Sequence, residues 1–567
     1  MNKLNKLNRI LLSGLLFSLS LSSFSDEVRS DFDVDDDGLI EINDINDLNE
    51  IRNSSNGRSL YGQSTGCPVD GCFGFELTSD LDFDSNGDGK FDSLDDFWNQ
   101  GEGWIPLPLN SGLSVVFDGN GHSISNLYMN RNATNSGLFG RVYLAEIRNL
   151  NIASSVIAST QGNVGSLAGY FRNSKVVGGS FSGILDCSQG HLGGVVGYSQ
   201  DSIISDVEFS GALSGNLATG GVAGYILGTD ISQAFSSGHL DAAGTGSGGI
   251  VGRISELSSI TDSSTSMSIS GTGTVGGLVG GINHSTTISD SYAVGNVTGT
   301  LGNVGGLIGS ASGVTILTSY ATGNVTASGS LNGGLVGYIG NSSVKESYAT
   351  GHVTGLYRVG GLIGYSSNTQ VSYSFSIGNV YVTDPDDVPS SSTNGYSGGF
   401  VGVAQNTDIV ACYSTGSVLD GVGTIGIDSY AGSFVGELMS DSSIRGSYSV
   451  GTAFDEDLHD SGLTGWDDQG VWDVEATYWL ADTTPLSIGY TLVQLQCPIA
   501  ENSTSCSGLS AVLYENWGSY TYQDEQGVNI PYWDFGTSSQ LPGLNINGVV
   551  YRDSDANGVL DMNQISN

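Results

Sequence analysis

Residues 275–299 read VGGLVGGINHSTTISDSYAVGNVTG, a run of glycine, small polar residues and single aliphatics, with Asp290 as its one acid and His284 largely neutral. VGGLIGSASGVTILTSYATGNVTA follows from Val304, and NGGLVGYIGNSSVKESYATGHVTG from Asn332. Aligned on the five-residue core (GGLVG here), eleven copies begin at residues 136, 165, 193, 220, 248, 276, 305, 333, 360, 398 and 432. Successive starts differ by 27–29 residues as far as 360, then by 38 and 34. A second phrase keeps step, with Tyr292, Tyr320, Tyr348 and Phe375 at matching offsets. Self-similarity at one period marks a repeat architecture, in which each unit buries its apolar face only against its neighbours.

The units are rich in Val, Ile, Thr and Tyr and are broken every few residues by glycine or polar pairs, the pattern of short strands joined by tight turns. A unit of about 28 residues holds about three such strands, one circuit of an all-β solenoid whose rungs stack about 4.8 Å apart. Eleven rungs predict a rod of about 50 Å. A propeller is the rival fold, but eleven blades exceed its usual range and the period is short for a four-stranded blade. Glycines should serve positive φ in turns and the close passage of one backbone over the next. The Ile of TTIS and of VTIL should face inward, whereas the adjacent Leu278 and Val279 cannot both do so in a regular strand. Tyr292, Tyr320 and Tyr348 read as a core ladder or as an aromatic binding strip. Thr298, Thr326 and Thr354 read as a hydroxyl ladder or as strand-favouring residues. The longer steps place insertions at 381–396 and 417–431, expected as loops on one face.

The chain has 567 residues, 86 of them glycine, and its 58 acids against 17 Lys and Arg give a formal charge of −41. Such a surface repels nucleic acid and anionic lipid and attracts divalent cations. Lys3, Lys6 and Arg9 precede the apolar stretch 10–21, and small Ser23 and Ser25 follow it, which reads as an export signal over 1–25. No later apolar run reaches transmembrane length, so the mature chain is expected to be exported, to the extracellular space, the cell surface or the periplasm. Among six cysteines, Cys67 with Cys72 and Cys497 with Cys506 are close enough in sequence to close small disulfide loops, as an oxidising compartment permits. Cys187 and Cys412 should stay apart, about eight rungs or about 40 Å from each other.

Three acidic stretches have calcium-loop spacing, in which alternate carboxylates and one carbonyl converge on a hard cation. DVDDDGLIEIND offers Asp33, Asp35, Asp37, the Leu39 carbonyl, Glu41 and Asp44, with a helical turn or two expected after it. DSNGDGKFDSLD offers Asp84, Asn86, Asp88, the Lys90 carbonyl, Asp92 and Asp95. DSDANGVLDMNQ offers Asp553, Asp555, Asn557 and Asp561, with Gln564 a poor twelfth ligand. All lie in the flanks, as do all seven tryptophans, so Ca²⁺ is expected to stiffen atypical caps.

The phrase GGLVG…SYATGNVTG resembles the GLUG motif, which occurs in arrays in large exported bacterial proteins, including adhesin-like surface proteins and some immunoglobulin A peptidases. The resemblance covers roughly 136–450 and is sharpest at 275–365; SGLFG and GSLAG lack the double glycine. FDGNGHSISNL (117–127) resembles the opening coil of right-handed parallel β-helices. The resemblance implies a right-handed parallel β-helix of about eleven rungs. The chain then divides into a signal peptide (1–25), an N-terminal calcium-loop cap (26–103), a GLUG-repeat solenoid (104–450) and a Trp/Tyr-rich C-terminal cap (451–567).

Catalytic machinery is hard to find. None of the six histidines (122, 191, 239, 284, 352, 459) is followed by Glu, so the zinc-peptidase signature HExxH is missing, as is the phosphate loop GxxxxGK[ST]; GxSxG is spelled only by GQSTG (62–66), beside Cys67, and by GYSGG (395–399), which overlaps the repeat copy at 398. The tight carboxylate cluster DPDD (384–387) sits in an insertion. The expected function is therefore adhesive or structural and not enzymatic, with glycans or extracellular proteins as partners. A β-helix polysaccharide lyase or hydrolase, and an ice- or matrix-binding solenoid, are the alternatives.

Overall fold

A computed structural model describes residues 29–110, 112–383, 395–420, 429–439, 441–454, 462–467, 473–481, 489–504, 506 and 512–561. The expected export signal and the DPDD cluster lie outside them. The chain is an all-β solenoid. Pairings between coils are parallel, and partners lie one repeat apart, as Val275 with Val304 and Val304 with Asn332. One sheet contains eleven strands, from Asn135–Ser136 to Ser429–Gly432, one for each copy of the motif. The two α-helices among the described residues, Ile45–Glu50 and Leu492–Gln496, are short. No helix among these residues is long and apolar enough to cross a membrane.

The double glycine makes a corner. A Cβ on Gly276 would sit 2.0 Å from the Val279 carbonyl oxygen, and one on Gly277 would sit 1.9 Å from the Gly306 oxygen of the next rung. Neither glycine, nor its equivalents at later rungs, has a positive φ. From Gly276 onward the motif glycines therefore serve close approach alone, and the turn role expected for them falls elsewhere. At the corner the two-residue alternation fails: Leu278 and Val279 are both fully buried. Their N–H groups donate to one acceptor, the Leu307 carbonyl, at 2.8 and 3.0 Å. The core is then a set of columns, such as Leu278–Leu307–Leu335–Leu362 and Ile288–Ile316–Val344–Val371, all fully buried.

Left-handed backbone sits at a second corner and is carried mostly by non-glycine residues. Asp262, Asp290, Thr318, Glu346, Tyr373 and Ala411 have φ between 44° and 54°. Each precedes a buried small polar residue: Ser263, Ser291, Ser319, Ser347, Ser374 or Cys412. The turn points the next N–H into the core, where an unpaired donor is costly. The hydroxyl one rung on accepts it: Ser263 N to Ser291 Oγ at 3.1 Å, Ser291 N to Ser319 Oγ and Ser319 N to Ser347 Oγ at 3.2 Å. Each hydroxyl donates in turn to the carbonyl two residues back, Ser319 Oγ to Leu317 O at 2.7 Å. Cys412 occupies this column, and burial pushes its thiol pKa up. It and Cys187 are buried and unbridged, whereas Cys67–Cys72 and Cys497–Cys506 are disulfides with Cα–Cα distances of 5.1 and 5.9 Å.

Tyr292, Tyr320, Tyr348, Phe375, Tyr413 and Tyr448 stack outside the coil, next to the inward Ala293–Ala321–Ala349 column. Their first three ring-centroid steps are 4.7, 4.7 and 4.6 Å, the rung spacing read directly from side chains. The described residues between 489 and 561 turn back along this flank and cover the ladder from Tyr348 onward. Trp517, Trp533 and Tyr514 join Phe375, Tyr413 and Tyr448 in a second hydrophobic cluster. Tyr448 Oη donates to Pro542 O at 2.7 Å and Tyr413 Oη to Tyr551 O at 3.1 Å. The ladder is thus a docking face for the chain's own C-terminal segment.

The acidic N-terminal segment belongs to the same stack. Strands Leu39–Ile42, Gly74–Leu77, Val115–Asp118 and Ala145–Arg148 pair in succession, so that Ile40, Phe75, Phe117 and Ile147 extend the inward isoleucine column. Both insertions leave the coil between the same two strand columns, since Val382 pairs with Asp420 and Gly395 with Ser429. Residues 384–394 and 421–428 themselves lie outside the described residues.

Two substitutions test this core. Ser319→Ala strips the acceptor from Ser291 N–H and should cost about 1–3 kcal/mol in urea unfolding. Gly306→Ala, whose Cβ would meet the Gly334 oxygen at 2.1 Å and Ala321 Cβ at 2.9 Å, should lower the midpoint further than Ser319→Ala does. A neutral Gly306→Ala would contradict the corner.

Candidate functional site

The three acidic loops share one backbone design. Asp33 Oδ2 accepts from Gly38 N at 3.0 Å, Asp84 Oδ2 from Gly89 N at 2.8 Å and Asp553 Oδ2 from Gly558 N at 2.9 Å. Those glycines have φ of +89°, +82° and +82°, a conformation that favours residues lacking Cβ. The fifth loop residue also recurs in role: Asp37, Asp88 and Asn557 each accept from the N–H two residues on, at 2.7, 2.9 and 2.9 Å.

The first loop gathers its carboxylates most closely. Ligand oxygens of Asp33, Asp35 and Asp37 all lie within 4.8 Å of one another. Asp33 is fully buried, its Oδ1 has no hydrogen-bond partner, and burial raises its pKa. The Cys67–Cys72 disulfide packs beside it. Leu39 opens the strand Leu39–Ile42 with its side chain buried. Asp44 is used otherwise: it caps the helix Ile45–Glu50, accepting from Asn46 N at 2.8 Å and Asp47 N at 2.9 Å. An Asp just before a helix satisfies amides that have no partner within it.

In the second loop Asn86 Oδ1 accepts from Asp88 N at 2.9 Å, Asp92 Oδ1 from Leu94 N at 2.9 Å and the buried Asp95 Oδ2 from Asp92 N at 2.7 Å. Lys90 supplies a backbone N–H to Asp88. In the third loop the fully buried Asp553 also accepts from Thr415 Oγ1 at 2.6 Å, tying the loop to a coil, and burial raises its pKa. Asp561 accepts from Ser554 N at 3.1 Å, Asp555 is exposed, and Gln564 lies outside the described residues. Neither loop draws three of its carboxylates together as the first does.

Register adds a residue that spacing missed. Glu41, Glu76 and Asp118 are outward neighbours on consecutive parallel strands, followed by Arg148. Arg29 Nη2 holds Glu41 Oε2 at 2.5 Å, and Arg148 Nε holds Asp118 Oδ2 at 2.5 Å. Glu76 stands between these pairs. It is 7% exposed, and burial, with Asp37, Asp35, Glu41 and Asp118 adding repulsion, raises its pKa to about 7. It lines a cleft of about 1030 Å³ with Arg29, Asp35, Glu41, Asn120 and His122. Aligning LIE (39–41) with GFE (74–76) and VFD (116–118), each with its acid in third place after a large apolar residue, is the signal that would have found it.

A second outward column was also missed: Arg141, Tyr170, Tyr198, Tyr225 and Arg253 are successive partners. Its tyrosine rings stack at 5.2 and 5.5 Å. Tyrosine directly after the last motif glycine (AGY, VGY, AGY) was the available signal. Thr298, Thr326 and Thr354 do align, between Ser270 and Tyr381, and the first two are exposed.

No family model matches the chain. No curated protein matches it either. Among solved structures, the chain is similar to a candidate immunoglobulin A1 protease from Bacteroides ovatus, at 18% identity and a TM-score of 0.26, covering 66% of this chain and 84% of that one. A likeness of that size assigns neither activity nor substrate.

Glu76 gives the cleft a pH signature. An unfolded chain releases this proton near the usual 4.5 and the folded one near 7, so neutral Glu76 favours the fold below about 4.5 and that contribution fades as pH rises through 7. With chelator present, wild type should lose more stability than Glu76→Gln between these pH values. Parallel pH profiles would contradict the assignment.

Proposed function

We propose that the protein is an exported surface or secreted scaffold that binds glycans or extracellular proteins along its coils, with Ca²⁺ stiffening the acidic loops. The observation that carries this reading is the division of labour between the faces. Residues that recur from copy to copy, the glycines, Leu278 with its equivalents and the buried serines, serve the interior. One outward column, Arg141–Tyr170–Tyr198–Tyr225–Arg253, varies along the stack, whereas the repeated outward tyrosines are covered from Tyr348 onward by the chain's own C-terminal segment. A row of phenol hydroxyls bounded by guanidinium groups suits the hydroxyls and carboxylates of an extended glycan. On this reading the repeat is the GLUG motif and the coil is right-handed, and neither point requires an enzyme.

A polysaccharide hydrolase is the second reading, favoured by Glu41 and Glu76 side by side in one cleft. Glycan and matrix-protein arrays, read with calcium and with EDTA, separate the two. Binding without cleavage, weakened about tenfold by Tyr198→Ala (about 1.4 kcal/mol), is the expected result. Release of shortened polysaccharide would overturn the scaffold reading. Calcium at a hundred times its dissociation constant should add about 2.7 kcal/mol of stability per site. Asp37→Asn should remove the first loop's share, and an unfolding midpoint indifferent to calcium would overturn the stiffening role.

A further inference from the structure

We infer that Glu76 is a ligand of a divalent cation held between the first acidic loop and the coil stack, together with Asp35 and Glu41. Ligand oxygens of these three residues lie within 4.8 Å of one another. Oxygens each about 2.4 Å from a common centre can be no farther apart than this, so the triple has the dimensions of a calcium shell. Acidic clusters are common on a surface as negative as this one. What distinguishes this triple is Glu76 itself: its side chain is more than nine-tenths buried, lines the cleft, and has no hydrogen bond or ion pair among the described residues.

The neighbours define the charge the site lacks. Asp118 is paired with Arg148. Glu41 is held by Arg29 and by Val34 N. Arg29 also stands 3.6 Å from Asp47, and Asp35 accepts from Asp37 N at 3.3 Å. Four carboxylates line the cleft, Asp31, Asp35, Glu41 and Glu76, against the one guanidinium of Arg29, an acidic surplus of the kind a divalent cation offsets. Arg29 and Arg148 pair with the two ends of the Glu41–Glu76–Asp118 ladder, and Glu76 in the middle has no cationic side chain bound to it among the described residues.

Asp35 belongs both to this triple and to the Asp33–Asp35–Asp37 triple of the loop, so it bridges two positions. Glu76 lies on strand Gly74–Leu77, 41 residues after Asp35. An ion here therefore staples a loop to a rung, which no ligand set drawn from the loop alone can do. The inference rests on the calcium reading of the first loop for Asp35 and Glu41 and goes beyond it in Glu76.

The test is calcium titration of the chelator-stripped full-length chain, counting ions bound to wild type, Glu76→Gln and Asp37→Asn. Glu76→Gln should bind one ion fewer, or that ion at least tenfold more weakly, while Asp37→Asn keeps the Glu76-dependent ion. Glu76→Gln binding as many ions as wild type with unchanged affinity overturns the inference even if the loop binds calcium. Loss of binding in Glu76→Gln with none in Asp37→Asn would retire the loop reading and leave this one standing. Anomalous diffraction from wild-type crystals soaked in a lanthanide is independent of whether any variant folds: density within about 2.5 Å of the Glu76 carboxylate is expected, and a cleft without it contradicts the site.

Discussion

Everything in this molecule depends on how near one rung's backbone can pass to the next at the GGLVG corner. Two amides, of Leu278 and Val279, converge on the single Leu307 carbonyl, and the glycines beside them leave no room for a Cβ. That geometry turns two adjacent aliphatics into the core at once, which a regular strand cannot do. It also explains why the same residues recur: a side chain at Gly277 would strike the next copy, whatever its chemistry. The interior hydroxyl column follows from the opposite corner, where a left-handed residue turns an amide inward and a serine one rung away receives it.

Period, strand content and solenoid class were legible because they depend on composition and repetition. The inward isoleucines of TTIS and VTIL were legible for the same reason, alternation within a short strand. The corner was not, since alternation is the rule that it breaks. Nor was the serine column, because SDSYA and LTSYA look like ordinary polar turns until Ser291 and Ser319 are seen to be fully buried. The tyrosine ladder was read as core or binding strip; the chain covers much of it with its own C-terminal segment, a contact across 94 residues in the case of Tyr448 and Pro542.

The candidate site divides along the same line. Loop spacing identified the Asp33, Asp84 and Asp553 turns because hydrogen bonding within a loop is local. Glu76 was invisible to spacing because it meets Glu41 through strand pairing, and Asp44 was drawn into a helix cap that serves the same short segment. Register is what places chemistry in a solenoid: a residue's neighbours lie one circuit away on each side, so side-chain clusters form down columns. The acidic cleft at the first rung and the Tyr–Arg column are both of this kind, and both adjoin a core made of the same repeating contacts.

The central claim is that one circuit of about 28 residues is the unit of structure. Deleting residues 305–332 joins Val304 to Gly333 and removes one whole rung, whereas deleting 305–318 removes half of one. Circular dichroism with urea unfolding of the two deletions tests this directly. The account predicts that the full-rung deletion folds cooperatively with a midpoint near that of wild type, and that the half-rung deletion, which sets the corners of one circuit against the strands of the next, loses the transition. Equal behaviour of the two deletions would contradict it.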